Sequence, residues 1–185
     1  MKILLVCDSE YKDKLYEKFK QSYLTAAKGI GHEVNIIEIK KDDYKYCTGC
    51  FSCWVKTPGE CITKDKSRYF NEINIKSELV IYLTPIVYGC YSANIKSQLD
   101  KNIPTILPFF KKINNETHHN TRYSKYPNLI FVGFSNDITE KEMNTFYNLT
   151  KRNSINFHSK STHTYIVNDK KSFTEINNEL QNMLL

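Results

Sequence analysis

The chain alternates between runs of period two or continuous apolar character and runs of helical spacing. Residues 2–7 are mostly apolar, as a strand buried on both faces of a parallel sheet would be. Asp8 or Ser9 is placed to cap a helix in which Leu15, Phe19, Tyr23, Ala26 or Ala27, and Ile30 recur at helical spacing. Gly29 and Gly31 then end it. His32 to Ile39 reads as a second strand, with Val34, Ile36, Ile37 and Ile39 apolar. A short helix is expected over about Lys66 to Lys76, with Tyr69, Phe70 and Ile73 inward. Leu79–Leu83 is the clearest buried strand, followed by a loop at Thr84–Gly89 and a helix from about Ser92 to Lys101. Leu129–Gly133 predicts a fourth strand. Asp137 or Thr139 is placed to cap a helix carrying Met143, Phe146, Tyr147 and Leu149. A fifth strand falls within 155–167, and the last helix uses Phe173, Ile176, Leu180 and Leu184 behind a cap near Asp169 or Ser172.

Strands alternating with helices five times over predict an α/β fold, a doubly wound parallel sheet with helices on both faces. Ligands of such sheets sit at the carboxyl ends of strands, near the point where strand order reverses. The loops after the first, third and fourth strands should therefore converge, with the loop after the second beside them. One domain over residues 1–185 is expected, with a Cys-rich loop at 44–63. An irregular excursion is expected at 104–126, where Pro104, Pro108, the Phe109-Phe110 pair and the polar run Asn114 to Tyr126 break the pattern.

Composition narrows the function classes. At 185 residues and 41% hydrophobic content the chain can bury a core without disulfides or metal as staples. The formal charge of +6 comes mostly from lysines spread along the chain, which reads as a solvated basic surface with no nucleic-acid motif behind it. No apolar run is long enough to span a bilayer. A cytoplasmic location is expected, where clustered cysteines more often serve metal or redox chemistry than structural disulfides.

Four of the six cysteines, Cys47, Cys50, Cys53 and Cys61, are spaced C-x2-C-x2-C-x7-C. A thiolate every third residue lets a tight loop turn several sulfurs toward one centre, as at iron–sulfur clusters. Gly49 suits such a loop. Unliganded thiols, a disulfide and zinc stay open on spacing alone, although zinc more often uses two C-x2-C pairs set well apart. Cys7 and Cys90, at strand ends, read as small buried hydrophobes. The His118-His119 pair reads as solvated, and Tyr91 reads as core filler.

Two stretches carry a family resemblance. Cys47-Thr48-Gly49-Cys50-Phe51-Ser52-Cys53-Trp54 through Cys61, and Thr84-Pro85-Ile86-Val87-Tyr88-Gly89-Cys90-Tyr91-Ser92-Ala93-Asn94-Ile95-Lys96, resemble the NADPH-dependent FMN reductase group, and within it the iron–sulfur flavoproteins. The likeness is strongest over about residues 45–101. It implies a flavodoxin-like strand order 2-1-3-4-5 and a flavin lying along Pro85, Ile86, Val87, Tyr88 and Gly89, with Ser92 following. It implies a [4Fe–4S] cluster on Cys47, Cys50, Cys53 and Cys61, NAD(P)H as a donor, and a homo-oligomer, dimer or tetramer.

The first loop departs from the family pattern. Of a glycine-, serine- and arginine-bearing phosphate loop only Ser9 matches, with Tyr11 at the arginine position. Asp8, Glu10 and Asp13 crowd this turn and oppose a phosphate dianion, while Lys12 and Lys14 partly compensate. The expectation is a flavin-dependent oxidoreductase or electron-transfer protein exchanging electrons with a small-molecule or protein donor and acceptor, without nucleic-acid or membrane partners. The alternative is a flavodoxin-fold chain that has lost FMN and serves as a binding or metal- and thiol-sensing module.

Overall fold

A computed structural model describes residues 1–184. The elements run β1 (Lys2–Asp8), α1 (Lys14–Gly29), β2 (Glu33–Ile39), α2 (Ser52–Val55), α3 (Ser67–Lys76), β3 (Leu79–Pro85), α4 (Ala93–Asp100), a 3-10 turn (Ile103–Thr105), β4 (Ile106–Ile113), β5 (Glu116–Thr121), β6 (Asn128–Phe134), α5 (Glu140–Asn156), β7 (Thr162–Val167) and α6 (Lys170–Asn182).

Five parallel strands form one sheet in the order β2-β1-β3-β6-β7, and β4 with β5 forms a separate antiparallel pair. The expected order 2-1-3-4-5 has the same arrangement but a different numbering, because β4 and β5 precede the fourth sheet strand. Alternate residues of each inner strand enter opposite cores. Ile3, Leu5, Ile81, Leu83, Ile130 and Val132 pack beneath α1 and α6 with Phe19, Tyr23, Phe173 and Leu180. Leu4, Val6, Val80, Tyr82 and Phe131 pack on the other face with Phe70, Ile95, Leu99 and Phe146 from α3, α4 and α5.

The excursion expected at 104–126 is a correction: it holds a β-hairpin. Asn114 and Asn115 both take positive φ, 50° and 65°, between β4 and β5. Two left-handed residues in a two-residue loop match the twist of paired strands, and asparagine tolerates that conformation best after glycine. The Asn-Asn pair was thus the readable signal. Its weight was masked by Phe109 and Phe110, which are exposed instead of alternating into a core.

The helix starts need correction too. Ser9 N–H still donates to Ile39 O at 2.9 Å, so the sheet pairing runs past Asp8. Helix α1 begins at Lys14, and its cap is Asp13 rather than Asp8 or Ser9. Thr139, closed by Glu142 in a capping box, and Asp169, closed by Ser172, cap α5 and α6 as expected. Ile30, Tyr69 and Tyr147, expected inward, are exposed, as is Ile36 on the edge strand β2.

Gly133 ties the sheet to the loop after β3. A Cβ at this position would lie 2.5 Å from Ile86 Cδ1 and 2.9 Å from Phe146 Cε1. Gly133→Ala should therefore cost ~1–3 kcal/mol through overpacking, read as a lower urea midpoint at unchanged slope. An unshifted midpoint would show that Ile86 is not clamped there.

Candidate functional site

Three loops meet at the carboxyl edge of the sheet, beside its switch point between β1 and β3. After β3 the chain makes a tight reversal. Ile86 N–H donates to Phe134 O at 2.9 Å, and Val87 and Cys90 exchange reciprocal backbone bonds of 2.9 Å. Tyr88 and Gly89 between them take φ of 51° and 76°. Gly89 has no room for a side chain, since its Cβ would lie 2.8 Å from Thr145 Cβ. Among the described residues no acceptor takes the N–H of Tyr88 or Gly89, and the Tyr88 ring is 90% exposed. Two free amides and an open aromatic face can hold the edge and face of a planar heterocycle.

The other residues singled out for this loop divide by role. Pro85 lines a cavity of about 630 Å³ on this edge, together with Asp8, Glu10, Lys41, Tyr44 and Ser97. That volume suits a cofactor. Val87 is half exposed, while Ile86 docks on Gly133. Ser92 is buried and caps α4 by accepting from Ile95 N–H at 3.3 Å. Tyr91 is buried against Phe131 and Phe146, so it is core filler as expected.

The first loop is closed on itself. Asp13 Oδ1 accepts from Leu15 N–H at 2.8 Å and Tyr16 N–H at 3.0 Å, so the anion-binding donors of α1 already hold a carboxylate. Ser9 Oγ donates to Ile39 O at 3.0 Å, and Lys12 Nζ donates to Ser9 O at 2.7 Å. Asn94 of α4 bridges Asp8 Oδ1 at 3.0 Å and Glu10 Oε2 at 2.8 Å. Lys14 is the first residue of α1 and exposed. This end of the edge is acidic and internally satisfied, and it does not fit a phosphate at the α1 N-terminus.

Beside it, the loop between β2 and α3 carries the four clustered cysteines. Gly49 and Phe51 take φ of 65° and 55°, which coils the loop tightly ahead of the one-turn helix α2. All four cysteines line one cavity of about 230 Å³, with Phe51, Trp54, Ile62, Ile103 and Pro104 giving it apolar walls. Trp54 fastens this loop to the hairpin: its indole N–H donates to Ile106 O at 2.9 Å, and its ring lies 4.8 Å from that of His119. No cysteine is in a disulfide. Among the described residues no three Cys, His, Asp or Glu side chains close on a single ion. Four thiols on one apolar-walled cavity are a donor set that fits an iron–sulfur cluster, and zinc as well.

The thiols of this loop are not equivalent. Hydrogen bonds from the hydroxyl and N–H of Ser52 hold Cys50 below the ordinary thiol value. Burial, and then the nearby Cys61 and Cys47, push Cys53 above it. Cys7 lies outside this chemistry: it is fully buried, and burial pushes its thiol up to about 12.

Two residues of this site were not legible in the sequence. Lys101, at the end of α4, is buried and points its ammonium into the cysteine cavity, donating to Cys61 Sγ at 3.4 Å and pairing with Asp65 Oδ2 at 3.2 Å. Burial opposes its charge, but the bonds to Asp65 and Cys61 outweigh this and hold it above the ordinary lysine value. His119, expected to be solvated, lines the same cavity. Its Nδ1 must carry the proton, because it donates to Leu107 O at 2.8 Å. His118 instead joins Asn156 at 2.9 Å and Glu116 at 3.0 Å, away from the cysteines. Only the hairpin pairing brings His119 back to the loop, and nothing local in the sequence signals it.

Comparison with known proteins agrees with this arrangement. The model of the family described as NADPH-dependent FMN reductase matches residues 1–113, from β1 through the cysteine loop to β4. An iron-sulfur flavoprotein of Archaeoglobus fulgidus is 29% identical over 104 residues, 56% of this chain and 46% of that protein. A second from the same organism is 29% identical over 75 residues, 40% of this chain and 36% of that protein. The matched stretch is thus less than half the length of either relative. Among solved structures, an azoreductase from Bacillus anthracis aligns with 100% of this chain and 98% of its own, at TM-score 0.71 and 12% identity. An NAD(P)H:quinone oxidoreductase from Methanothermobacter marburgensis aligns with 100% and 95%, at TM-score 0.68 and 10% identity. At such identities these structures establish the fold.

In metal-free protein, alkylation followed by mass spectrometry against pH should show Cys50 reacting at lower pH than Cys53, since the thiolate is the nucleophile. Equal profiles would refute the Ser52 hydrogen-bond account.

Proposed function

The chain belongs to the NADPH-dependent FMN reductase family, and on that premise we propose that it is a flavin-dependent oxidoreductase with a second redox centre. FMN would be held at the β3 turn, and a [4Fe–4S] cluster by Cys47, Cys50, Cys53 and Cys61. The observation that carries the reading is the single apolar-walled cavity shared by all four clustered cysteines, beside the carboxyl edge of the sheet. FMN supplies hydride and single-electron chemistry when bound, with NAD(P)H as donor. The chain's own part is position and electrostatics. Tyr88 and Gly89 offer backbone N–H donors to the ring edge, Tyr88 offers an aromatic face, and Ile86 on Gly133 fixes the turn.

The closed first loop supports a flavin held mainly by its ring. With Asp13 on the α1 donors and Asp8 and Glu10 nearby, binding rests on the ring more than on the phosphate. Lys41 beside the 630 Å³ cavity supplies a surface cation for the ribityl phosphate. Exposed Tyr46, Phe51, Val55, Phe109 and Phe110 around the cysteine loop and hairpin suit contact with a second copy of the chain. No helix among the described residues is long and apolar enough to cross a membrane. Six unbridged cysteines suit a reducing compartment such as the cytoplasm.

The capped α1 terminus also favours a second reading, a chain of this fold without flavin that senses metal or thiols. Flavin titration separates the two. Ring-dominated binding predicts that riboflavin and FMN bind within ~threefold of each other. A phosphate-anchored site would favour FMN by more than ~tenfold, the worth of one charge-assisted hydrogen bond. Asp13→Ser keeps a competent helix cap. It should tighten FMN by ~fivefold (about 1 kcal/mol of removed charge repulsion at a helix terminus) and leave riboflavin unchanged. Binding of neither flavin by either protein would leave the sensing reading. Separately, serine at any one of the four clustered cysteines should lower bound iron and sulfide while leaving flavin affinity intact; retained iron in all four variants would place the cluster elsewhere.

A further inference from the structure

Lys101 is 2% exposed, and lysine is almost never that deeply buried without a partner. Its first partner, Asp65, already accepts from Ser67 N–H at 2.9 Å and Lys45 N–H at 3.1 Å, so the carboxylate does not need the ammonium for hydrogen bonding. Its second partner is a sulfur. Among the described residues Lys101 is the one lysine or arginine whose nitrogen donates to a cysteine. The cysteine is Cys61, set apart from the C-x2-C-x2-C run. The other charged group lining this cavity, Asp100, is exposed and paired outward with Lys96 at 2.5 Å.

We infer that Lys101 is a positioning residue that raises the reduction potential of a cluster on these cysteines through its hydrogen bond to Cys61. This rests on the iron–sulfur reading above. One-electron reduction adds negative charge to the cluster and its thiolates. A fixed ammonium against one ligating sulfur, in a low-dielectric cavity, favours that reduced state. Asp65 screens part of the ammonium's charge from 3.2 Å, and an asparagine there keeps an acceptor that leaves the ammonium in place. Removing either member of the pair should therefore move the potential in opposite directions.

The test is a redox titration of the full chain with its cluster reconstituted without oxygen, with iron and sulfide measured on the same samples. Lys101→Gln should disfavour reduction at least ~tenfold, a fall of ~59 mV or more for a one-electron couple, at unchanged iron and sulfide content. Asp65→Asn should raise the potential, and Lys101→Arg should stay near the parent value. If Lys101→Gln does not take up a cluster, the Lys101→Gln/Asp65→Asn double variant, which leaves no unpaired buried charge, should lie below Asp65→Asn alone. Potentials that do not move, or that move the same way in Lys101→Gln and Asp65→Asn, would overturn the inference while leaving the cluster reading intact. A parent chain that takes up no iron and sulfide would instead overturn the cluster reading itself, and this inference with it.

Discussion

Leu4, Val6, Val80 and Tyr82 point to one side of the sheet, and Ile3, Leu5, Ile81 and Leu83 to the other. Burying β1 and β3 on both faces is what the remaining structure is built to satisfy. Parallel strands need crossover helices, and two apolar faces need helices on both sides, so α1 and α6 cover one and α3, α4 and α5 the other. Chemistry is then left to the carboxyl edge, where the chain leaves β1 toward β2 on one side and leaves β3 toward β6 on the other. Gly133 extends the constraint into function. The absence of a side chain in β6 lets Ile86 lie against the sheet and holds the Tyr88–Gly89 turn in place.

The two candidate centres on this edge are electrostatic opposites. At the first loop, Asp8, Glu10 and Asp13 are satisfied by Asn94 and by helix amides, which leaves little attraction for an incoming anion. At the cysteine loop a buried ammonium faces sulfur. On the function proposed above, an electron arriving there would meet a compensating positive charge, while a phosphate arriving at α1 would meet a negative one.

Much of this was legible in the sequence, for physical reasons. The inner strands are buried on both faces and so read as continuous apolar runs, as in Leu79–Leu83. The helices repeat their apolar residues at fixed spacing, and Thr139 and Asp169 announce their own caps. The four clustered cysteines were equally plain, because ligand spacing is local. What stayed hidden depends on contacts distant in sequence. Asp13 displaces Asp8 as a cap only because β1 pairs one residue further with β2. His119 reaches the cysteine cavity only through the β4–β5 hairpin. Lys101, in a helix that reads as ordinary and amphipathic, is turned inward by Asp65 and Cys61. The hairpin itself is signalled locally by Asn114-Asn115, whose left-handed turn outweighs the non-alternating Phe109-Phe110 pair.

The most direct measurement is the visible absorption spectrum of protein purified without oxygen, with iron, sulfide and flavin quantified on the same sample. A two-centre oxidoreductase should show the flavin band pair over a broad charge-transfer shoulder, with iron and sulfide in equal amounts and lost together when the clustered cysteines are replaced. A colourless, iron-free protein that also refuses added FMN and riboflavin would contradict the account.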